Sequence, residues 1–159
     1  MSLSHGFVRG EALSCIYHGW SYAQTGQCLR IPAHPGLAPP EAIRVRTYPV
    51  AEADGVIWVA EGEPDAVPPA LAGLVPLRSL TAFAGIAAIE AAAGAKARAG
   101  GLLQQGDASL LMSSVREGET LIHVLVPAGA GPAARIAAAR AAEGLRRKAE
   151  DFQKKGAVQ

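Results

Sequence analysis

Cys15 and His18 stand three positions apart in the segment Cys15-Ile16-Tyr17-His18-Gly19-Trp20-Ser21-Tyr22. A soft thiolate and an imidazole at that spacing, on a glycine-containing turn between two strands, can both reach one metal centre. Taken by themselves the two side chains suit zinc about as well as iron. Whatever the metal, the turn must be held by its flanking segments.

Those flanks read as short strands joined by tight turns. Phe7-Val8 and Ala12-Leu13-Ser14 enclose the turn Arg9-Gly10-Glu11, and Ser21-Tyr22-Ala23 and Cys28-Leu29-Arg30 enclose Gln24-Thr25-Gly26-Gln27. Gly26 supplies the positive φ that a hairpin turn of this kind requires. A third pair is expected over Val45 to Ala51 and Val56 to Ala60, turning at Asp54-Gly55. Between the second and third pairs, Ile31 to Pro40 holds four prolines and a glycine, which predicts a stiff, exposed loop. Acids and three prolines between Glu61 and Pro69 mark a domain boundary, giving domains 1–64 and 65–159.

The second half has a different character. Leu77 to Phe83 reads as a strand and Ala84 to Ala95 as an alanine-rich helix, ending before the Gly100-Gly101 break. Ala108 to Val115 and Thr120 to Val126 form a hairpin around Arg116-Glu117-Gly118-Glu119. Pro132 opens a final helix in which Ile136, Ala139, Leu145, Ala149 and Phe152 share one stripe, and Arg146, Arg147, Lys148, Lys154 and Lys155 solvate the rest. The fold class is therefore mainly β, with small antiparallel sheets followed by a small α+β region.

The metal-ligand pair sits in a longer succession. Gly-Trp-x-Tyr follows it at once, then the Thr-Gly-Gln turn, then Ile31-Pro32-Ala33-His34-Pro35-Gly36, and later Tyr48-Pro49-Val50-x-Glu52-x-x-Gly55-Val56-Ile57-Trp58-Val59. Over about residues 2 to 60 this resembles the Rieske domain of bacterial ring-hydroxylating oxygenases. The resemblance implies a Rieske-type 2Fe-2S cluster with two Cys on one iron and two His on the other, a ligand set whose potentials run from roughly −150 to +300 mV. It implies Cys15 on the all-sulfur iron and His18 on the outer iron. Gly19 would let the backbone approach the cluster and offer its amide, Trp20 would shield one face, and Tyr22 would point its hydroxyl at a ligand sulfur or simply fill a half-buried strand position.

The same resemblance marks what is missing. The family's first loop, Cys-x-His-Arg-Gly or similar, precedes the segment matching Met1-Ser2-Leu3-Ser4-His5-Gly6, so the reading expects a truncated start with two of four ligands present. His5, on the approach to a turn, and Cys28, opening a strand beyond a hairpin, lack the looped geometry of the missing pair; Cys28 suits a small buried hydrophobe. His34 either shields the cluster or is exposed. Oxygenases of this family also carry a mononuclear iron held by two His and one carboxylate. After His34 only His123 remains, a sheet histidine, so no such triad and no catalytic residue is assigned. The C-terminal half resembles, more weakly, the last strand pair and terminal helix of a catalytic domain.

Composition narrows the partners. Half of the 159 residues are apolar, 18% are charged and the net charge is +1, which argues against disorder and against nucleic acid. Three Phe, three Tyr and two Trp leave a core of Ala, Val, Leu and Ile. Leu80 to Ala95 falls short of the roughly 20 apolar residues of a membrane span, and two cysteines without a signal peptide suit a reducing cytoplasm. The expected function is one-electron transfer with a redox partner such as a ferredoxin or flavin reductase. The other reading is a cluster-free remnant acting as a binding module or without function, with a zinc site shared with a partner chain as a third.

Overall fold

The computed structural model describes residues 3–156, so the expectation about the start, which rests on Met1 and Ser2, lies outside the described residues. The chain forms two compact units, one of residues 1–50 and 59–65, the other of residues 51–58 and 66–159. No helix among the described residues is long and apolar enough to cross a membrane.

In the first unit, a four-stranded antiparallel meander runs in the order β1 (Phe7–Arg9), β2 (Ala12–Ser14), β3 (Ser21–Tyr22) and β4 (Cys28–Arg30). Phe7 pairs with Ser14, Leu13 with Tyr22, and Tyr22 with Cys28, so the two expected hairpins share one sheet. Gly26 has φ 82°, and a Cβ there would run into the Val45 carbonyl oxygen. That close approach has a purpose: the Val45 amide donates to the Gly26 carbonyl at 2.9 Å and the Cys28 amide to the Ile43 carbonyl at 3.0 Å. Residues 43–45 are thereby tied to the β3–β4 hairpin, where Arg44 also donates to the Thr25 carbonyl. The strand expected from Val45 consequently starts only at Val50, after Pro49, which has no amide to give a ladder.

β5 (Val50–Ala53) and β6 (Val56–Val59) form a two-stranded ribbon turning at Asp54-Gly55. Its buried Val56 packs with Leu71, Leu111 and Leu125, flanked by Trp58, Leu74 and Leu102. This cluster lines one face of the second unit's antiparallel sheet, ordered β7 (Leu74–Ala82), β10 (Glu119–Pro127), β9 (Ala108–Arg116) and β8 (Leu102–Gln105). β7 is an edge strand, which is why Pro76 is tolerated there; the ladder slips where Leu125 faces Pro76 and Val124 faces Arg78. Leu102–Gln105 has no β-branched or aromatic residue to mark it, and its strand was not expected from the sequence.

The other face carries the larger core, in which Leu80, Leu103, Leu110, Ile122 and Val124 meet α1 (Ile86–Ala93) and α2 (Pro132–Lys154). The buried stripe of α2 is Ala138, Ala142, Leu145 and Ala149. Ile136 is 52% exposed, correcting the expected stripe. At about 100° per residue it lies about 200° round the helix from Ala138, on the opposite side. Small alanines at the contact let α2 approach closely, and its polar side chains brace α1. Glu150 accepts from the Phe83 amide, Gln153 from the Gly85 amide, and Lys148 Nζ donates to the Ala92 carbonyl at 2.7 Å. Lys148 and Arg146 thus do more than solvate the helix: Arg146 bridges Glu143 and Glu150.

Candidate metal centre

The segment after β2 leaves the sheet, makes one tight turn and re-enters as β3. Two backbone bonds close it: the Cys15 amide donates to the Trp20 carbonyl at 2.8 Å and the Gly19 amide to the Cys15 carbonyl at 3.0 Å. Gly19 sits at φ 69°, and a Cβ there would stand 3.1 Å from Pro32 Cγ. The start of the proline-rich loop therefore packs against this turn, anchored by the buried Ile31. The Gly19 amide, which the resemblance offers to a cluster, is used within the turn itself.

Cys15 is a half-buried free thiol, while His18 is exposed at the tip beside Ile16 and Tyr17, which are 55% and 64% exposed. The rings of Tyr17 and His18 lie 3.9 Å apart between centroids, tilted by 53°. Trp20 and Tyr22 are half-buried. Burial, and then the negative charge that ionised Cys28 and Cys15 would bring, pushes the Tyr22 hydroxyl above its ordinary pKa.

The remaining candidates lie apart in chemical role. Cys28 is 2% exposed, its sulfur 3.7 Å from the Arg30 carbonyl, as a small buried thiol should be. His5 ends an exposed one-turn 3-10 helix at Leu3–His5, and His34 is exposed in the proline-rich loop. His123 Nδ1 meets Ser79 Oγ at 2.7 Å across β10 and β7, a satisfied sheet histidine. Among the described residues, no group of three or more His, Cys, Asp or Glu is placed to hold a metal ion. One soft thiolate and one imidazole on a rigid, exposed turn fit half of a Cys2His2 cluster site; the other thiolate and imidazole are not supplied by the described residues around it.

A cavity of about 660 Å³ in the second unit, lined by Gln105, Asp107, Val126, Ala134, Ala138 and Ala141, was not foreseen from the sequence. Its only trace there is the density of alanines in the first half of α2, a pattern that equally describes close helix packing.

Residues 1–49 match the Rieske [2Fe-2S] domain. The chain is 45% identical over 69 residues to oxidoreductase NdmD of Pseudomonas putida, covering 43% of this chain and 12% of that protein. It is 39% identical over 87 residues to 4beta-methylsterol monooxygenase of Methylococcus capsulatus (strain ATCC 33009 / NCIMB 11132 / Bath), covering 54% of this chain and 22% of the relative. The matches thus span about an eighth and a fifth of those relatives' lengths. A crystal structure of apo dicamba monooxygenase shares the fold over 98% of this chain and 72% of its own, with a TM-score of 0.69 at 16% identity.

Proposed function

Starting from the Rieske [2Fe-2S] domain that residues 1–49 carry, we propose that this chain is an electron-transfer segment of an oxygenase system, with Cys15 and His18 as half of the cluster's ligands. When bound, a Rieske-type cluster supplies one-electron transfer at a potential raised by its two neutral imidazoles, roughly −150 to +300 mV.

The chain's own residues have distinct tasks in that reading. Cys15, half-buried behind the turn, gives its thiolate to the all-sulfur iron. His18, at the exposed tip, binds the outer iron through one ring nitrogen and leaves the other facing outward, where a redox partner meets it. Tyr17 stacks obliquely on the His18 ring and restricts its rotation. Gly19 lets the chain reverse without a side chain in the way of Pro32. Trp20 limits water at one side. Tyr22, whose hydroxyl is held in the protonated form by burial and the nearby cysteines, would donate a hydrogen bond to a ligand sulfur, stabilising the extra negative charge of the reduced cluster and raising its potential.

In this reading the partner is a ferredoxin or flavin reductase and the setting the cytoplasm. The observation that carries the reading is the closed Cys15–Gly19 turn with its exposed imidazole and sheltered thiol. Anaerobic reconstitution with iron and sulfide tests it, on this chain and on one extended at its N-terminus by a loop bearing one Cys and one His. A Rieske-type visible and EPR spectrum is expected, lost with Cys15→Ser. Absence of that spectrum from both proteins would refute the assignment.

A further inference from the structure

The second unit holds a surface cavity of about 400 Å³ where β7 meets α2. Three arginines line it, Arg78 from the edge strand and Arg140 and Arg147 from the helix, and Glu143, Gly144 and Ile136 belong to the same wall. Arg140 and Arg147 are two helical turns apart in α2 and so share one side of it. Elsewhere in this unit Arg116, Arg135 and Arg146 are each held by a carboxylate or a backbone carbonyl. The guanidiniums of Arg78 and Arg140 have no hydrogen-bond or ion-pair partner among the described residues. The carboxylate in the wall is already committed: Glu143 accepts from Arg146 and from Arg147, which hold its pKa at about 2. It therefore stands as one negative charge against three positive ones.

Gly144 is the only glycine inside α2, and glycine weakens a helix interior relative to alanine. Close packing does not demand it, because an added Cβ would meet nothing within 4 Å, and its helical backbone needs no left-handed turn. What the absent side chain leaves is a bare stretch of helix between Arg140 and Arg147, open to the cavity.

The excess of positive charge and the forked guanidiniums suit an oxyanion. A phosphate monoester, with a second pKa of about 6, carries close to two negative charges at neutral pH and offers three acceptor oxygens, enough for three arginines at once. The volume lies within the roughly 300–1,000 Å³ of small-molecule sites. Ile136, 52% exposed, sets an apolar surface beside the charges. We infer that this cavity binds the phosphate group of a small phosphate monoester or of free phosphate, gripped by Arg78 from the strand and by Arg140 and Arg147 from the helix over the bare Gly144. Such a ligand ties α2 to the edge strand and so stabilises the second unit by mass action. The site is independent of the metal centre.

Calorimetric titration of the 159-residue chain with phenyl phosphate and with inorganic phosphate, at low salt in a buffer free of other oxyanions, tests this. One site is expected, and saturating it should raise the urea midpoint of the second unit. Arg78→Gln and Arg140→Gln should each weaken binding about tenfold, as loss of a charge-assisted hydrogen bond would. Gly144→Leu fills the bare stretch and should weaken binding at least as much without lowering the urea midpoint of the free chain, leucine being the better helix former. Arg98→Gln removes an arginine outside the cavity and should change nothing. Tighter binding of phenyl phosphate identifies a monoester that uses Ile136; equal affinity identifies the free ion. Absence of binding by both probes overturns the site. So does binding that Arg78→Gln, Arg140→Gln or Gly144→Leu leaves intact, or that Arg98→Gln weakens as far, since that reports a diffuse field of positive charge.

Discussion

Replacing Gly19 by alanine adds one methyl group to a backbone held at φ 69°, directly against the proline-rich loop. The left-handed conformation costs an L-residue roughly 1–2 kcal/mol. The new methyl would lie 3.1 Å from Pro32 Cγ, so the loop must also give by a few tenths of an ångström. At about 1.4 kcal/mol per tenfold, the conformational cost alone raises local opening of the turn about 5- to 30-fold. Native-state hydrogen exchange reads this at the amides of Cys15 and residue 19, which close the turn. Their protection should fall by that factor while amides of β9 and β10 keep theirs. Gly10→Ala is the internal comparison: its φ is 59° with nothing within 4 Å of the added methyl, so it carries the conformational cost without the loop contact. Unchanged protection at Cys15 in Gly19→Ala, or an equal loss in β9 and β10, would refute the claim that this glycine holds the turn.

Other outcomes follow from the second unit. Thr120, fully buried, donates its hydroxyl to the Ala84 carbonyl at 2.8 Å; Thr120→Val strands that carbonyl and should destabilise the unit by about 1–3 kcal/mol in urea unfolding. Leu145→Ala removes the largest side chain of the buried α2 stripe and should cost about 2–5 kcal/mol, with α2 amides losing protection. Glu143 is held at a pKa of about 2, against an ordinary 4.5, first by its hydrogen bond from Arg146 and then by that from Arg147. A folded pKa below the unfolded one means the stabilisation is complete above about pH 4.5 and is lost as pH falls through about 2. Glu143→Gln should flatten the acid limb of a stability–pH curve in that window; an unaltered limb would deny the pairing a role.

The Cys15–Gly19 turn was legible because the residues that make it are local. Cys15, His18 and Gly19 are within five residues, and the strands on either side are announced by their turns. The two hairpins flanking it were readable for the same reason, through Gly10 and Gly26. What escaped the sequence depends on contacts made at a distance. The strand expected from Val45 is shortened because Gly26 and Cys28 use residues 43–45 as hydrogen-bond partners. Leu102–Gln105 becomes a strand by pairing with β9, without side chains that would mark it. The α2 stripe was misassigned because Ile136 outweighs alanine on any hydrophobicity count, whereas close packing against the sheet selects Ala138 and Ala142. The commitment of the Gly19 amide to Cys15, and the packing of Pro32 against the turn, belong to three-dimensional closure and leave no trace in residue spacing.

The ligand role of His18 is open to one direct measurement. The chain has four histidines, so in the N-terminally extended protein His5, His34 and His123 can each be replaced by Gln to leave His18 and the histidine of the added loop. That protein, labelled with nitrogen-15 histidine, loaded and reduced by one electron, should show nitrogen hyperfine coupling in its electron–nuclear double resonance spectrum. A loaded cluster without histidine coupling, or one that persists unaltered in His18→Ala, would contradict the assignment of His18 to the outer iron.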